Sequence, residues 1–348
     1  MSPIQQRVSS DELAGELQQV LSRYFGAPRK ILSLRRRRSN YSSSYTIENL
    51  EVELDRGKCL SLVFKDMGPA SLLNAARDVR PAFLYNPQRE IETYRKVLDP
   101  KAFGTAVCYG AVQRPEDKRH WLFLERVNGP LLWQVGRVEI WERAARWIAR
   151  LHSHFRLENG RRNSAALPEC LLRYDMDHCL CWASRAQDFV SRRRDLRSHE
   201  LEEQFKILSR CYHKVAGVLH SMPQTFIHGE FYPSNIILRG SGPAKRVCPI
   251  DWEVAAVGPG LIDLAALTAG DWTPEQKKTL MKAYHEALEP DHGWPPSLED
   301  MLELVEYCNL HLAVQWLGWA REWSPPKSHE RDWLREALGL ARRLRLLT

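Results

Sequence analysis

The amino-acid sequence predicts an α+β protein in which a strand-rich first third is followed by a helix-rich remainder. Three observations predict it. Between residues 30 and 65, apolar and β-branched residues fall in short runs that favour extended backbone. Beyond Asn128–Gly129 apolar residues recur at helical spacing over long stretches. Only two strand-like runs, 236–240 and 246–251, interrupt those helices.

Taken in order, residues 11–24 (DELAGELQQVLSRY) place Leu13, Leu17, Val20 and Leu21 on one face behind the capping candidates Ser9, Ser10 and Asp11, which predicts an amphipathic helix. Strands are expected at 30–36, 44–54 and 59–65, the last two joined by a turn at Asp55–Arg56–Gly57. Thr46, Ile47, Val52 and Val63 favour strand over helix there. In the third strand Leu60, Leu62 and Phe64 point inward on one face, and Lys65 ends the run. A helix follows at 88–98 with Ile91, Tyr94, Val97 and Leu98 on one face, then strands at 106–113 and 120–126. Helices are expected at 141–155, 172–190, 200–221, 273–288, 297–319 and 329–346. The joint falls near 125–130, so the chain divides into lobes of about 1–126 and 127–348.

Bulk composition bounds the class. At 348 residues the chain is long enough for two cores. Its 44% apolar and 27% charged content is that of an ordinary soluble protein. No run of about 18 apolar residues suggests a membrane span, and the first residues lack the apolar centre of a signal peptide. Eight cysteines are scattered without a CxxC, which fits reduced thiols in a cytoplasmic protein better than a disulfide framework or a zinc site. The net charge of +7 is modest. The runs Arg35–Arg38 and Arg192–Arg194 read as solvated faces, since neither is interleaved with aromatic residues as a single-strand surface would be. Neither a nucleic-acid nor a membrane partner is expected.

The chemistry sits in FIHGEFYPSNIIL (226–238) and VCPIDWE (247–253). Glu230, Asn235 and Asp251 place an acid, an amide and a second acid within one stretch that a hairpin could present to one cleft. Phosphoryl transfer from a metal–nucleotide needs a carboxylate near the attacking hydroxyl and oxygen ligands for magnesium. Lys65 at its strand end could reach phosphate oxygens, held by an ion pair from Glu90 or Glu92. Glu90 is preferred, because Ile91, Tyr94 and Val97 facing the sheet leave it at the near edge. In the run 39–45, Ser42 and Ser43 are candidates to donate hydroxyls to phosphate, or to form a plain polar hairpin turn. There is no GxGxxG and no GxxxxGK[ST].

HGEFYPSN followed by IDWE resembles the signature of the aminoglycoside phosphotransferase and choline kinase family, relatives of protein kinases. That signature is HGDxxxxN, then a hairpin, then a strand carrying apolar–Asp–[Trp/Phe]–[Asp/Glu]. FKDM (64–67), REIETYRKVL (89–98), WLFLERVNG (121–129), IARLHSHF (148–155) and GPGLIDLAAL (258–267) are similar to further family segments, which spreads the resemblance over nearly the whole chain. It implies a two-lobed, protein-kinase-like fold, with an antiparallel sheet plus helix first and a mostly helical lobe after it. It also implies transfer of the γ-phosphoryl of magnesium–ATP or –GTP to a hydroxyl of a small molecule. On this resemblance Asn235 and Asp251 would ligate magnesium, and Glu253 would add a carboxylate through water. Lys65 would hold the α/β-phosphates with Glu90 behind it, and backbone groups of Leu124, Glu125 and Arg126 would meet adenine. Asp263 would be structural, and His228 would organise its loop rather than act as the base.

Glu230 departs from the family's Asp by one methylene, and misplacement near 1 Å costs on the order of a hundredfold. Three readings compete: a site shifted to suit Glu, a site that holds nucleotide but reacts poorly, and a carboxylate with another role. Charge and proton affinity close to those of Asp favour the first. The competing functions are a nucleotide-binding pseudokinase acting as a scaffold and a metal-dependent hydrolase. In the last third, Trp316, Trp319 and Trp323 fall at helical spacing and read as core before they read as platforms for a sugar ring. Glu299, Asp300, Glu303 and Glu306 read as a solvated face before an attraction for a cation. Neither the acceptor nor the oligomeric state is written in the sequence.

Overall fold

A computed structural model describes residues 8–39, 44–73, 76–77, 80–157, 167–193, 199–240, 246–290, 294–320 and 331–347. Ser42 and Ser43 therefore lie outside the described residues. The chain forms two compact units, Met1–Gly129 with Ile237–Glu253, and Pro130–Ile236 with Val254–Thr348. Among the described residues no helix is long and apolar enough to cross a membrane.

The first unit opens with α1 (Ser10–Phe25), capped by Ser9, whose hydroxyl accepts the Glu12 N–H, and closed by Gly26 in the left-handed region. Strands β1 (Ile31–Arg38), β2 (Thr46–Leu54) and β3 (Cys59–Asp66) follow as antiparallel neighbours. Next come α2 (Pro87–Glu92), α3 (Pro100–Phe103), β4 (Cys108–Arg114) and β5 (Arg119–Glu125). The five strands run in the order β1-β2-β3-β5-β4, so β3 lies at the centre. One face of the sheet packs on α1: Leu13, Leu17, Val20 and Leu21 meet Leu50, Val52, Leu62, Phe64 and Phe123 in one buried cluster. Period-two alternation then turns Lys65 to the opposite face. Of the basic run, Arg36 is drawn onto buried Glu48 at 2.8 Å while Arg35, Arg37 and Arg38 stay on the edge strand without burial.

The single helix expected at 88–98 is two pieces. Asn86 caps α2, Pro87 begins it, and at Thr93 the backbone widens to a π-turn (Thr93–Val97) closed by Leu98 N–H on Thr93 O at 3.0 Å. Ile91, Tyr94 and Val97 are buried as the pattern requires.

The second unit holds α4 (Val138–His154), β6 (Leu172–Arg173), α5 (Met176–Arg192), α6 (His199–Ser221) and β7 (Gln224–Ile227). The chain passes through the hairpin β8 (Ile236–Arg239) and β9 (Arg246–Pro249), then forms β10 (Ala256–Pro259), α7 (Leu261–Leu267), α8 (Pro274–Ala287), α9 (Leu298–Trp319) and α10 (Trp333–Arg343). Three strands were not expected. β6, β10 and β7 make a small sheet, β10 pairing parallel with β6 and antiparallel with β7. At two to four residues they are too short to show a period, and Gly258 and Pro259 argue against a strand by composition. The helix expected from 172 begins instead at Met176, where the Asp175 carboxylate accepts the His178 N–H. All residues of α7 are buried, so it has no amphipathic stripe that would mark it as a helix in the sequence.

Candidate active site

The candidate residues form two groups, one on each unit. In the first unit, β3 carries Lys65 between Ile47 of β2 and Leu122 of β5. Its ammonium lies 2.6 Å from Glu90 Oε1 and 2.8 Å from Asp251 Oδ1. Glu90 Oε1 also accepts the Trp252 N–H at 3.3 Å, which ties α2 to the acid-bearing loop. Glu92 instead pairs outward with Lys96 at 2.6 Å and Arg95 at 3.5 Å. Burial works against the Lys65 charge, but the Asp251 and Glu90 carboxylates outweigh it and hold the ammonium well above its ordinary range. Burial likewise pushes the Glu90 carboxyl up, against the pull of Lys65.

Asp251 has φ 67, the left-handed region that a non-glycine residue rarely adopts. Lys65 holds one of its oxygens, and the side chain keeps 27% of its exposure. Glu253 is more enclosed. Its Oε1 accepts the Ser44 hydroxyl at 3.0 Å, its Oε2 pairs with Arg80 at 3.0 Å, and its backbone carbonyl accepts from Arg89 at 2.7 Å. Ser44 lies in the serine run 39–45 and Arg89 opens the segment 89–98, but neither of them nor Arg80 was a candidate in the sequence, since each lies on a different segment.

Leu124 and Glu125, expected to meet adenine, end β5, and Arg126 follows it. Leu124 is buried. The Glu125 N–H donates to Val107 O at 2.8 Å and the Arg126 N–H to Ser61 O at 3.0 Å, so those two donors belong to the sheet and are not open to a ligand. The Glu125 carboxylate holds Arg239 of β8 and the Val107 N–H, and Arg126 pairs with Glu51 at 2.6 Å. Gly129 follows where a Cβ would stand 2.1 Å from Leu238 O, so only glycine fits.

In the second unit the loop after β7 is built around buried Asp263. Its carboxylate accepts the His228 N–H at 2.7 Å and the Gly229 N–H at 2.9 Å. His152 at the end of α4 lies 3.2 Å from the same carboxylate through Nε2 and 2.8 Å from the Tyr284 hydroxyl through Nδ1. Asp263 is therefore a structural anchor, and Tyr284 is the member of this chain that the sequence did not reveal. Gly229 sits at φ 83 with a Cβ position 2.6 Å from Val254 O. His228 organises the loop as well, because its Nδ1 takes the Glu230 N–H at 3.3 Å.

Glu230 is half-buried and precedes a tight turn in which Tyr232 N–H donates to Glu230 O at 2.7 Å. Asn235 closes it: its N–H meets Tyr232 O at 2.8 Å and its Nδ2 meets Glu230 O at 3.0 Å. With the amide nitrogen so engaged, Oδ1 is the end left to accept or ligate. A carboxylate at 251 and an amide oxygen at 235 are hard oxygen donors of the kind magnesium takes, so both residues fit that ion.

Tyr232 leads from this loop into a cavity of about 200 Å³ within the second unit, walled in part by Asn309, Trp316, Trp333, Glu306 and Arg343. The Trp316 indole donates to the Tyr232 hydroxyl at 3.0 Å and stacks on Trp333 with centroids 5.5 Å apart. Burial and the nearby Glu230 charge push the Tyr232 phenol well above its ordinary range. Trp316 thus stands in a cavity wall, while Trp319 packs on Trp182 at 5.7 Å. Glu306, read from the sequence as one of a solvated row, is gripped by Arg343 at 2.6 and 2.9 Å.

Residues 52–298 match the model of a family described as the phosphotransferase enzyme family. A choline kinase from Cryptosporidium parvum Iowa II shares the fold with a TM-score of 0.58 at 14% identity, over 97% of this chain and 95% of that one. A putative aminoglycoside phosphotransferase from Ralstonia eutropha JMP134 aligns with a TM-score of 0.55 at 12% identity, over 96% of each chain. The GDP complex of wild-type aminoglycoside 2′-phosphotransferase-IIIa aligns with a TM-score of 0.51 at 14% identity, over 95% of this chain and 97% of that one. These structural alignments support a shared kinase-like fold. A search of curated proteins found no match.

Proposed function

The chain belongs to the phosphotransferase enzyme family, and we propose that it is a small-molecule kinase that transfers the γ-phosphoryl of a magnesium nucleotide, ATP or GTP, to a hydroxyl group. The observation that carries this reading is the buried Lys65 ammonium, held by Glu90 at 2.6 Å and Asp251 at 2.8 Å at the centre of a sheet. A lysine so fixed cannot wander into solvent, and it presents its charge to phosphate oxygens at no further ordering cost.

In this reading the acceptor hydroxyl attacks the γ-phosphorus, and its proton passes to the Glu230 carboxylate. The bond from phosphorus to the bridging oxygen breaks, leaving a nucleoside diphosphate and a phosphate monoester. Magnesium, when bound, offsets the charge on the phosphates. Asp251 would supply a carboxylate oxygen to it and Asn235 an amide oxygen. His228 and Asp263 hold the Glu230 loop in shape. The tryptophan-walled cavity beside Tyr232 takes the acceptor, which its size limits to a small molecule or one end of a larger one.

The test is magnesium-dependent ATP and GTP consumption across a panel of alcohols, sugars and amino alcohols, comparing the wild type with Asp251→Ala. Turnover that needs both Asp251 and one acceptor class supports the proposal. Nucleotide binding with no acceptor phosphorylated, and no change in Glu230→Asp, would make the protein a pseudokinase instead.

A further inference from the structure

The resemblance expects Glu253 to serve a metal, and its surroundings point elsewhere. Both of its carboxylate oxygens are engaged, Oε1 by the Ser44 hydroxyl and Oε2 by the Arg80 guanidinium, each at 3.0 Å. The pair is enclosed, with 6% of the Arg80 side chain and 14% of Glu253 exposed. Arg80 is fixed in turn: its Nη2 donates to Leu84 O at 3.3 Å, and its guanidinium lies 5.6 Å from the Tyr45 ring centroid. Arg89, also buried, bridges Leu84 O and Glu253 O at 3.1 and 2.7 Å. Two distant residues of the first unit, Ser44 just before β2 and Arg80, therefore meet on one carboxylate of the loop that carries Asp251.

We infer that Glu253 is a strap and not a metal ligand, with Arg80 as the positioning residue that holds the Asp251 loop in register with β2. A divalent cation bound directly at Glu253 Oε2 would compete with a buried arginine for that oxygen, and an enclosed arginine left without its acid is costly. Asp251 differs, since its partner Lys65 is shared with Glu90 and part of its carboxylate stays exposed. Trp252 N–H on Glu90 Oε1 and Arg89 on Glu253 O fix the backbone on either side of the same short loop. The strap thus sets where the Asp251 carboxylate points without touching the metal itself. This inference rests on the kinase reading for its consequence, but its geometry does not.

The experiment has two arms. The first needs no nucleotide: thermal unfolding of wild type, Arg80→Met, Glu253→Gln and the double variant. A strap predicts that each single change lowers Tm by about 3 °C or more and that the double change costs less than the sum. Additive losses overturn it. The second arm counts Mn²⁺ bound, by electron paramagnetic resonance, with a non-hydrolysable ATP analogue present. A strap predicts the same number of ions in wild type and Glu253→Gln, a raised dissociation constant for the analogue in Arg80→Met, and partial rescue by Arg80→Lys. Loss of one ion in Glu253→Gln overturns the inference and leaves the kinase reading standing. Absence of nucleotide binding in the wild type defeats the kinase reading, and the first arm then decides the strap alone.

Discussion

Lys65 and Asp251 are 186 positions apart in the chain and meet at 2.8 Å, with Glu90 completing the contact on the same ammonium. One cation therefore stands between two carboxylates at a buried position. Such an arrangement depends most on its cation, because the loss of Lys65 leaves two carboxylates uncompensated, whereas the loss of either carboxylate still leaves an ion pair.

Replacing Lys65 tests that directly. Lys65→Met strands Glu90, whose carboxyl burial already pushes up, and is expected to cost roughly 3 kcal/mol of stability in urea denaturation. Nucleotide turnover is expected to fall by about a hundredfold or more. Lys65→Arg should restore stability in part and turnover poorly, since a planar guanidinium cannot keep both contacts in the geometry of a compact ammonium.

Asp251 is held at φ 67. Asp251→Asn is expected to fold well, because asparagine tolerates the left-handed region, while Asp251→Ala loses about 1 kcal/mol more of stability through its backbone alone. Both should abolish magnesium-dependent turnover. Chemical denaturation of the two variants side by side separates the backbone effect from the charge effect.

Glu230 is the group to test for proton transfer. Glu230→Gln is expected to lower kcat by about 10²–10⁴ with nucleotide affinity kept. Glu230→Asp keeps the charge and shortens the reach, so a kcat above that of Glu230→Gln and below wild type is the expected order. An unchanged kcat in Glu230→Gln would remove Glu230 from the reaction.

Gly229 admits no side chain, with φ 83 and its Cβ position 2.6 Å from Val254 O. Gly229→Ala is expected to destabilise the second unit by about 1–3 kcal/mol and to depress turnover further by shifting Glu230. Thermal unfolding and kcat measured on the same preparation check both.

Acid sensitivity has an identifiable source in the second unit. His311 is fully buried, shares a hydrogen bond with the Tyr212 hydroxyl through Nδ1 at 2.9 Å, and has no partner for its Nε2 among the described residues. Burial, with His178 nearby, pulls its imidazole down to about 3. The unfolded chain binds a proton there near pH 6.5 and the folded chain does not, so stability is complete above that pH. It falls as pH drops from about 6.5 toward 3, at up to about 1.4 kcal/mol per pH unit. Urea midpoints at pH 7, 6, 5 and 4 should follow this course, and His311→Gln should flatten it by about one proton.

The parts of the site that follow local rules were readable in the chain. Strand alternation put Leu60, Leu62 and Phe64 in the core, and helix facing selected Glu90 over Glu92 as the partner of Lys65, which is the pairing seen. The turn from Glu230 to Asn235 was readable because its own hydrogen bonds close within five residues, whereas the Asp263 carboxylate that holds the His228 and Gly229 N–H groups lies 35 and 34 positions away. The small sheet of β6, β10 and β7 was not, since strands of two to four residues carry no period. Nor was the Glu253 cluster, whose partners Arg80 and Ser44 lie 173 and 209 positions away.

By itself, then, the amino-acid sequence determined the α+β class, the order of the main elements and the acids and amide proposed to carry the chemistry, because periodicity and turn geometry act between near neighbours. Only the tertiary structure decided that residues 237–253 join the first unit, that Lys65 serves two carboxylates, and that Glu253 is enclosed by an arginine and a serine. Burial of charge is what makes the difference. Which ion pairs form out of water depends on segments far apart in the chain, and the energy of each pair is set by what the whole fold packs around it.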